Sequence, residues 1–391
     1  MLGYMDRVCI SVAAPALRSE FGYSPREIGL IFGAFSLSYA LFQAPWGWLG
    51  DRRDVRNLIG GVIVCWSLFT VLTATAASLI SLVIIRFLFG VSEAALSPLI
   101  ASAFRRGVTA ARSSSAFGFF LAGGRLGGMI APFIAARCVV RYSWRSAFFA
   151  FAAIGIVVFA GWFAAFPRTI ISRSFQLAPL APPPRFSAPL LALISTALLY
   201  TMAWQFFATW FPTYLIDVRH LSLQSAGEYA GLPFFFGLCA TPLGGLFGDA
   251  VIGHLGTSLG RRLVCFAGLL VAALLFYCGS IIANPKTGAV LLSLAAGAGD
   301  FILGTLWASA VDLSGKSAGA ISGLMNSAAN AGAFLSPVVI GALLSRHFGW
   351  IMILQLMAML CTAAACVSLF ARIPSVSVRS SISETGSRPP Q

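Results

Sequence analysis

The chain has 391 residues, of which 58% are apolar and only 10% charged, with a mean hydropathy of +0.88. Globular domains carry about 25% charged residues, so this composition excludes a soluble enzyme, a nucleic-acid-binding domain and a secreted disulfide scaffold. The net charge of +14 would by itself suit an acidic partner, but its distribution among the loops gives it another meaning.

The N-terminal stretch MLGYMDRVCISVAAPAL carries Asp6 and Arg7 and is short for a bilayer span, which takes about twenty apolar residues. Eight uncharged, mostly apolar runs reach that length: 28–50, 57–85, 146–167, 186–216, 229–248, 263–285, 317–345 and 347–371. Three more segments are long and apolar with a charge near the middle: 79–104 with Arg86 and Glu93, 112–136 with Arg125, and 287–311 with Asp300. The sequence therefore predicts an all-α membrane protein with eleven full spans and an N-terminally truncated first one, about 11.5 in all. The polar, proline-rich segment 167–187 is predicted to link a bundle over 1–166 to a second over 188–372, and 373–391 to be a disordered cytoplasmic tail.

Counted by connection, fifteen Lys and Arg lie on the side that holds both termini and eight on the other, with Arg7, Arg86 and Arg125 inside spans. Cytoplasmic loops hold the basic excess in membrane proteins. The expectation is a plasma-membrane protein, bacterial inner membrane in type, with both termini cytoplasmic.

The two halves repeat each other. GWLGD ends at Asp51 and GLFGD at Asp249, Gly118 and Pro132 correspond to Gly323 and Pro337, and Trp144 corresponds to Trp350, at offsets of 198, 205 and 206. Parallel six-helix repeats place a substrate site near the bilayer midplane between them. By the same repeat, the partner of the seventh span is expected to start roughly twelve residues before Met1, through a misassigned start or a genuine truncation.

Several motifs then fall into one pattern. GWLGDRRDVRN, with Gly47, Asp51, Arg52 and Arg56, resembles the loop signature of the major facilitator superfamily between the second and third spans, although Asp54 stands where its second glycine is usual. YMDRVCISVAAPAL, RFLFGVSEA, TWFPTYLI and WASAVD followed by GAISGLMNSAANAGAFLSP resemble the first, fourth, seventh, tenth and eleventh spans of the anion:cation symporter family, which includes sugar-acid, phthalate and sialic-acid transporters. The resemblance covers nearly the whole chain and implies two six-helix bundles with pseudo-two-fold symmetry. It gives Arg7 the role of substrate-carboxylate anchor, Asp6 and Glu93 that of proton coupling, Tyr39 a contact with sugar hydroxyls, and the Gly47–Arg56 loop a part in conformational change.

Ionisable groups at bilayer depth are costly and line a cavity or pair, and this chain has three of each sign there: Asp6, Arg7, Arg86, Glu93, Arg125 and Asp300. A carboxylate can bind and release a proton, whereas arginine stays charged and holds a carboxylate by two parallel hydrogen bonds. Arg86 lies two helical turns from Glu93, on the same face, and reads as part of a charge network. Asp300 stands 207 residues after Glu93, near its repeat-related position, and is a third proton-coupling candidate. Arg125 either pairs with Asp300 across the two halves or grips a second anionic group of the substrate. Asn326 and Asn330, four apart, could offer amides to hydroxyls or serve as packing glue. Trp204, Gln205, Trp210, Tyr214 and Trp307 could form an aromatic wall. Gly123, Gly124, Gly127 and Gly128 read as close-packing positions.

The eight cysteines stand in apolar stretches without CxxC pairs, and His220, His254 and His347 stand singly, so no metal or cofactor is expected. The leading reading is proton-coupled symport of a small organic anion, a sugar acid or related carboxylate, by alternating access. Its partners would be the anion, a proton (or sodium) and the lipid bilayer, with no nucleic acid and a monomeric chain. Drug or metabolite efflux on the same fold is the alternative, and a receptor or non-transporting truncated remnant a third. ATP-driven transport lacks a P-loop motif, and no constellation suits an enzyme.

Overall fold

The structure, a computed structural model, describes residues 2–107, 110–165, 186–314 and 318–372. The predicted tail, and the predicted linker apart from Phe186 and Ser187, lie outside the described residues. Sixteen helices and no strand occur among the described residues. The first bundle comprises α1 (Leu2–Phe21), α2 (Pro25–Arg52), α3 (Val55–Thr75), α4 (Leu79–Glu93), α5 (Leu96–Gly107), α6 (Ala110–Arg141) and α7 (Trp144–Ala165). The second comprises α8 (Ala188–Thr209), α9 (Phe211–Asp217), α10 (Leu223–Ala230), α11 (Leu232–Leu255), α12 (Thr257–Ile281), α13 (Pro285–Asp300), α14 (Leu303–Ser314), α15 (Ala318–Ser345) and α16 (Trp350–Ser368).

Eleven of these segments, some made of two consecutive helices, are long and apolar enough to cross a membrane. The first helix is longer than the sequence suggested. It continues past Leu17 through Arg-Ser-Glu-Phe to 20 residues, about 30 Å at 1.5 Å per residue. Its polar end is held by α7: Glu20 accepts a hydrogen bond from the Trp144 indole at 2.6 Å and two from the Arg145 guanidinium at 2.9 and 2.6 Å.

Local chemistry sets the other starts. Ser24 and Glu27 form a reciprocal capping box ahead of α2, with Pro25 in the first turn, where a missing N–H leaves nothing unpaired. Asn284 caps α13 with its side chain, which accepts from the Lys286 and Thr287 N–H groups. At the GWLGDRRDVRN loop, Asp54 accepts from the Arg56 N–H at 2.9 Å and from the Asn57 amide at 2.8 Å, so it serves as the N-cap of α3. Arg53 and Asp54 take extended backbone with φ of −118° and −68°, and this turn needs no glycine. Arg52 stacks on the Trp48 ring at 4.0 Å. The Arg56 guanidinium lies 4.4 Å from the Phe163 ring and donates to the Phe163 carbonyl, tying α3 to α7. A Cβ on Gly47 would stand in ordinary contact with Pro98, and the Asp51 side chain lies outside the described residues.

The repeat is visible in the helices. Trp144 and Trp350 each open the last helix of a bundle, and Pro132 and Pro337 each sit inside the helix before it. The fourth and tenth spans are both broken near their middle, α4 giving way to α5 and α13 to α14. The last residue before each break is an acid, Glu93 in one half and Asp300 in the other.

The bundles meet where α2 crosses α15 and where α6 meets α10 and α11. A Cβ on Gly29 would stand 2.5 Å from the Pro337 carbonyl oxygen and 3.3 Å from the Gly341 Cα, so the α2–α15 crossing depends on two glycines. On the side of the α1–α2 connection, Arg18 bridges to Asp217 at 3.0 Å, the Arg26 N–H donates to Ser345 Oγ at 2.9 Å, and the Phe32 ring meets Trp210 edge-on. On the opposite side α5 packs on α2, α3 and α6, and α14 on α8, α11, α12 and α15, each within its own bundle. The two bundles are thus joined at mid-depth and at the α1–α2 side.

Valine at Gly29 should force this crossing apart at a cost of about 1–3 kcal/mol, read as a melting temperature several degrees lower in detergent. Gly61→Val, where a Cβ would meet nothing within 4 Å, should melt with the wild type; equal losses would contradict the crossing.

Candidate functional site

Two clusters of buried charge face the junction of the bundles. The first is built by α1 and α4. Asp6, Arg86 and Glu93 are each 2% exposed, and two positive charges balance two negative. Arg7 Nε lies 2.8 Å from Glu93 Oε1, with the Glu93 side chain buried and that of Arg7 about a fifth exposed (21%). The pair is made through Nε, so the two terminal nitrogens of Arg7 are not spent on that carboxylate. Aromatic rings wall the guanidinium: Tyr4 at 4.9 Å, Phe35 at 4.8 Å and Tyr39 at 4.4 Å. Arg86 lies deeper, 5.2 Å from the Phe35 ring and 4.9 Å from Phe89. Gly90 lets α4 close on α2 here, since a Cβ would collide with Ser38 and the Phe35 backbone. Asp6 Oδ1, Glu93 Oε2 and Arg86 Nε make no hydrogen bond among the described residues. The cluster is held by net charge balance more than by one-to-one pairing.

The second cluster bridges the bundles. Arg125 on α6 reaches Asp300 on α13, Nη2 to Oδ2 at 2.8 Å, and the Tyr200 hydroxyl on α8 donates to the other oxygen of Asp300. Asp300 is fully buried, while the Arg125 side chain is 17% exposed. The guanidinium lies 4.8 Å from the Trp204 ring, Trp204 meets Phe234 edge-on, and Phe234 meets Tyr4 edge-on. The glycines of the GGRLGG run admit these rings: a Cβ on Gly124 would stand 3.1 Å from the Tyr4 ring, and one on Gly128 would overlap Phe234. Tyr4, Phe234 and Trp204 therefore form a continuous aromatic wall from the Arg7 guanidinium to that of Arg125.

The other predicted residues are placed differently. Asn326 donates from Nδ2 to Gln43 Oε1 at 2.6 Å, a side-chain bond between α15 and α2 that crosses the interface. Asn330 donates to the Asn326 carbonyl at 2.8 Å, so its amide is engaged on its own helix. Trp307 is 43% exposed on α14 and takes no part in the ring contacts around Arg125. The aromatic wall expected from the seventh span divides in two. Trp204 lies under Arg125, whereas Trp210 and Tyr214 are wholly buried with Trp350 and Phe32 toward the α1–α2 side. There Arg219 ties Tyr214 to the carbonyls of Gly279 and Ile282.

Sequence reasoning missed Tyr4, Phe35, Gln43 and Tyr200. Tyr4 precedes Arg7 by three residues and so shares its face, which was a usable signal. Gln43 is a polar residue in an otherwise apolar run. Nothing local distinguishes Phe35 or Tyr200. Among the described residues no group of three His, Cys, Asp or Glu side chains could hold a metal ion, and the cysteines are unbridged.

Comparison with known proteins places this arrangement. The profile described as Major Facilitator Superfamily matches residues 1–337. The chain belongs to the Major Facilitator Superfamily. It is 30% identical to a probable sulfoacetate transporter of Cupriavidus necator, over 94% of this chain and 90% of that one. It is 29% identical to the hexuronate transporter of Bacillus subtilis and to a probable galactarate/D-glucarate transporter of Escherichia coli, each over 88% of this chain and 86% of the relative. In fold it resembles a bacterial homolog of the human lysosomal transporter Spinster, with a TM-score of 0.73 at 19% identity, covering 95% of this chain and 92% of that one. With its eleven apolar spans, this superfamily member is an integral membrane protein.

If charge balance holds the first cluster, Arg86→Met should destabilise strongly, by about 3–5 kcal/mol for a buried charge left uncompensated. Adding Asp6→Asn should recover most of that loss in thermal melts. Equal melting of the single and double variants would contradict the balance.

Proposed function

We propose that this chain is a secondary active transporter that takes up a small organic anion, a sugar acid or related carboxylate, together with protons by alternating access. The observation that supports the reading best is the Arg7–Glu93 pair: a guanidinium a fifth exposed, ringed by Tyr4, Phe35 and Tyr39, whose one ion-pair partner among the described residues is a buried, protonatable carboxylate. A substrate carboxylate arriving at Arg7 competes with Glu93. If Glu93 takes a proton, the cluster of Asp6, Arg7, Arg86 and Glu93 gains one positive charge, and the anion restores neutrality. Anion and proton then travel together because neither alone leaves a balanced site.

Relatives named for sulfoacetate, hexuronate and galactarate/D-glucarate agree with an anionic substrate. The two-bundle architecture supplies the moving parts. Joined at the α1–α2 side, the bundles occupy one end of a rocking cycle, and reaching the other end requires breaking Arg18–Asp217 and the α2–α15 crossing. The excess of basic residues over 51–57, 105–112, 167–187, 252–262, 312–317 and the C-terminal tail supports a cytoplasmic position for those segments and both termini, with the chain in the plasma membrane.

Proteoliposomes loaded at neutral pH and given galactonate, glucuronate, galactarate or sulfoacetate outside test this directly. One of the acids should alkalinise the medium, and Glu93→Gln should abolish that signal while still exchanging labelled anion for anion. Uptake of an anion with no pH change, in sodium-free buffer, would contradict proton coupling.

A further inference from the structure

Resting on the transport reading, we infer that Arg125 is a second anion anchor, making the substrate a dianion with two acid groups, one held at Arg7 and the other at Arg125. Asp300 occupies that anchor when the substrate is absent.

The site is built for exchange. Arg125 Nη2 lies 2.8 Å from Asp300 Oδ2, and the neighbouring Nη1 is buried with no partner among the described residues. A guanidinium gains most from two parallel bonds to one acid group, and this one reaches Asp300 through Nη2 alone, with Nη1 unpaired. Asp300 has a second tether: the Tyr200 hydroxyl donates to Oδ1, so the carboxyl stays in place when Arg125 leaves. Exposure orders the two groups, with Asp300 at 0% and Arg125 at 17%. The guanidinium therefore stands in front and the carboxylate behind it. The floor is aromatic and glycine: Trp204 at 4.8 Å, and Gly237, where a Cβ would stand 3.5 Å from Arg125 Cζ. Any side chain at Gly237 would press on the Asp300 carboxylate as well.

The two anchors are linked through a run of rings. Tyr4 lies 4.9 Å from the Arg7 guanidinium and meets Phe234 edge-on, Phe234 meets Trp204 edge-on, and Trp204 lies 4.8 Å from the Arg125 guanidinium. This continuous aromatic wall suits a short chain with an acid group at each end.

Charge accounting then sets the stoichiometry. Each guanidinium is already balanced by a carboxylate, Arg7 by Glu93 and Arg125 by Asp300. Each acid group of the substrate that displaces a carboxylate leaves a buried negative charge unless that carboxylate takes a proton. The proton goes to Glu93 in the first pair and to Asp300 Oδ2 in the second. The other groups facing Asp300 are the Tyr200 hydroxyl and Trp204 from α8, Arg125 from α6, and the apolar face of α11 at Gly237. None of them offers a second cation. A dianion therefore enters with two protons and a monoanion with one.

The test pairs acids that differ in one terminal group: galactarate against galactonate, and sulfoacetate against glycolate. Competition for uptake and protons moved per anion are measured in proteoliposomes for the wild type and for Arg125→Gln/Asp300→Asn, which stays neutral and so avoids a buried orphan charge. The wild type should prefer the dianion of at least one pair by about tenfold or more, the effect of one charge-assisted contact, and move two protons with it. The double variant should bring that preference toward unity and move one. A wild type indifferent to the second acid group, or a double variant with preference and stoichiometry unchanged, overturns the inference and leaves the transport reading standing. Failure of all four acids to be taken up or exchanged by the wild type overturns both.

Discussion

A charge at the centre of a bilayer costs several kcal/mol even when water or lipid deforms to meet it, and this chain carries six such charges, three of each sign. The interior can hold them only as balanced sets. That constraint explains the arrangement around them: Gly90 lets α4 close on α2 until Arg86 meets two aromatic faces, and Gly124 and Gly128 let α6 approach close enough for Arg125 to cross to Asp300. Cation–π contacts are worth about 2 kcal/mol or more when desolvated. They offset desolvation of the guanidiniums without supplying an anion, so the positive charges remain available to one.

The two halves use one plan with different partners. An acid ends the first segment of the broken span in each, Glu93 and Asp300. In the first half the neighbouring helix α1 supplies arginine to that acid, and the pair lies inside one bundle. In the second half the corresponding helix α8 supplies a tyrosine, and the arginine comes from across the interface. On the proposed rocking cycle, an ion pair within a bundle would move as a body, whereas one that straddles the bundles would have to stretch or part. The exposed Arg18–Asp217 pair at the α1–α2 side, each side chain about a third exposed, is worth at most about 1 kcal/mol. The buried groups at mid-depth would therefore weigh more in the open–closed balance of that proposed cycle.

Much of this was legible in the sequence, for physical reasons. Bilayer thickness forces long apolar runs, so the number and order of spans could be counted, and the repeat announced itself through Asp51, Trp144, Pro132 and their partners. The six charges stood out against an apolar background. Their pairing was not legible, because helical periodicity gives the face a residue occupies but not how each helix is rotated against its neighbours. Arg125 thus remained open between Asp300 and substrate, and Tyr200, buried in an apolar run, carried no signal at all. Trp210 and Trp204 looked equivalent in sequence, yet the break between α8 and α9 separates them. Trp210 joins the closed end of the interface and Trp204 the charged site. The apolar stretch ending at Leu17 is short for a span, but the helix does not stop with it, since Trp144 and Arg145 hold Glu20 at its polar end.

In the proposed mechanism Glu93 and an anion compete for Arg7, and binding alone can test that without transport. The measurement is the dissociation constant of the transported anion in detergent, by calorimetry across pH 5 to 9, for the wild type and Glu93→Gln. Protonation of Glu93 frees Arg7, so wild-type affinity should fall as pH rises, by up to about tenfold per pH unit for each linked proton. The variant, fixed in the neutral form, should bind at least as tightly as the wild type does at low pH and lose one proton's worth of that dependence. A wild type and variant with the same pH profile would contradict the competition on which the mechanism depends.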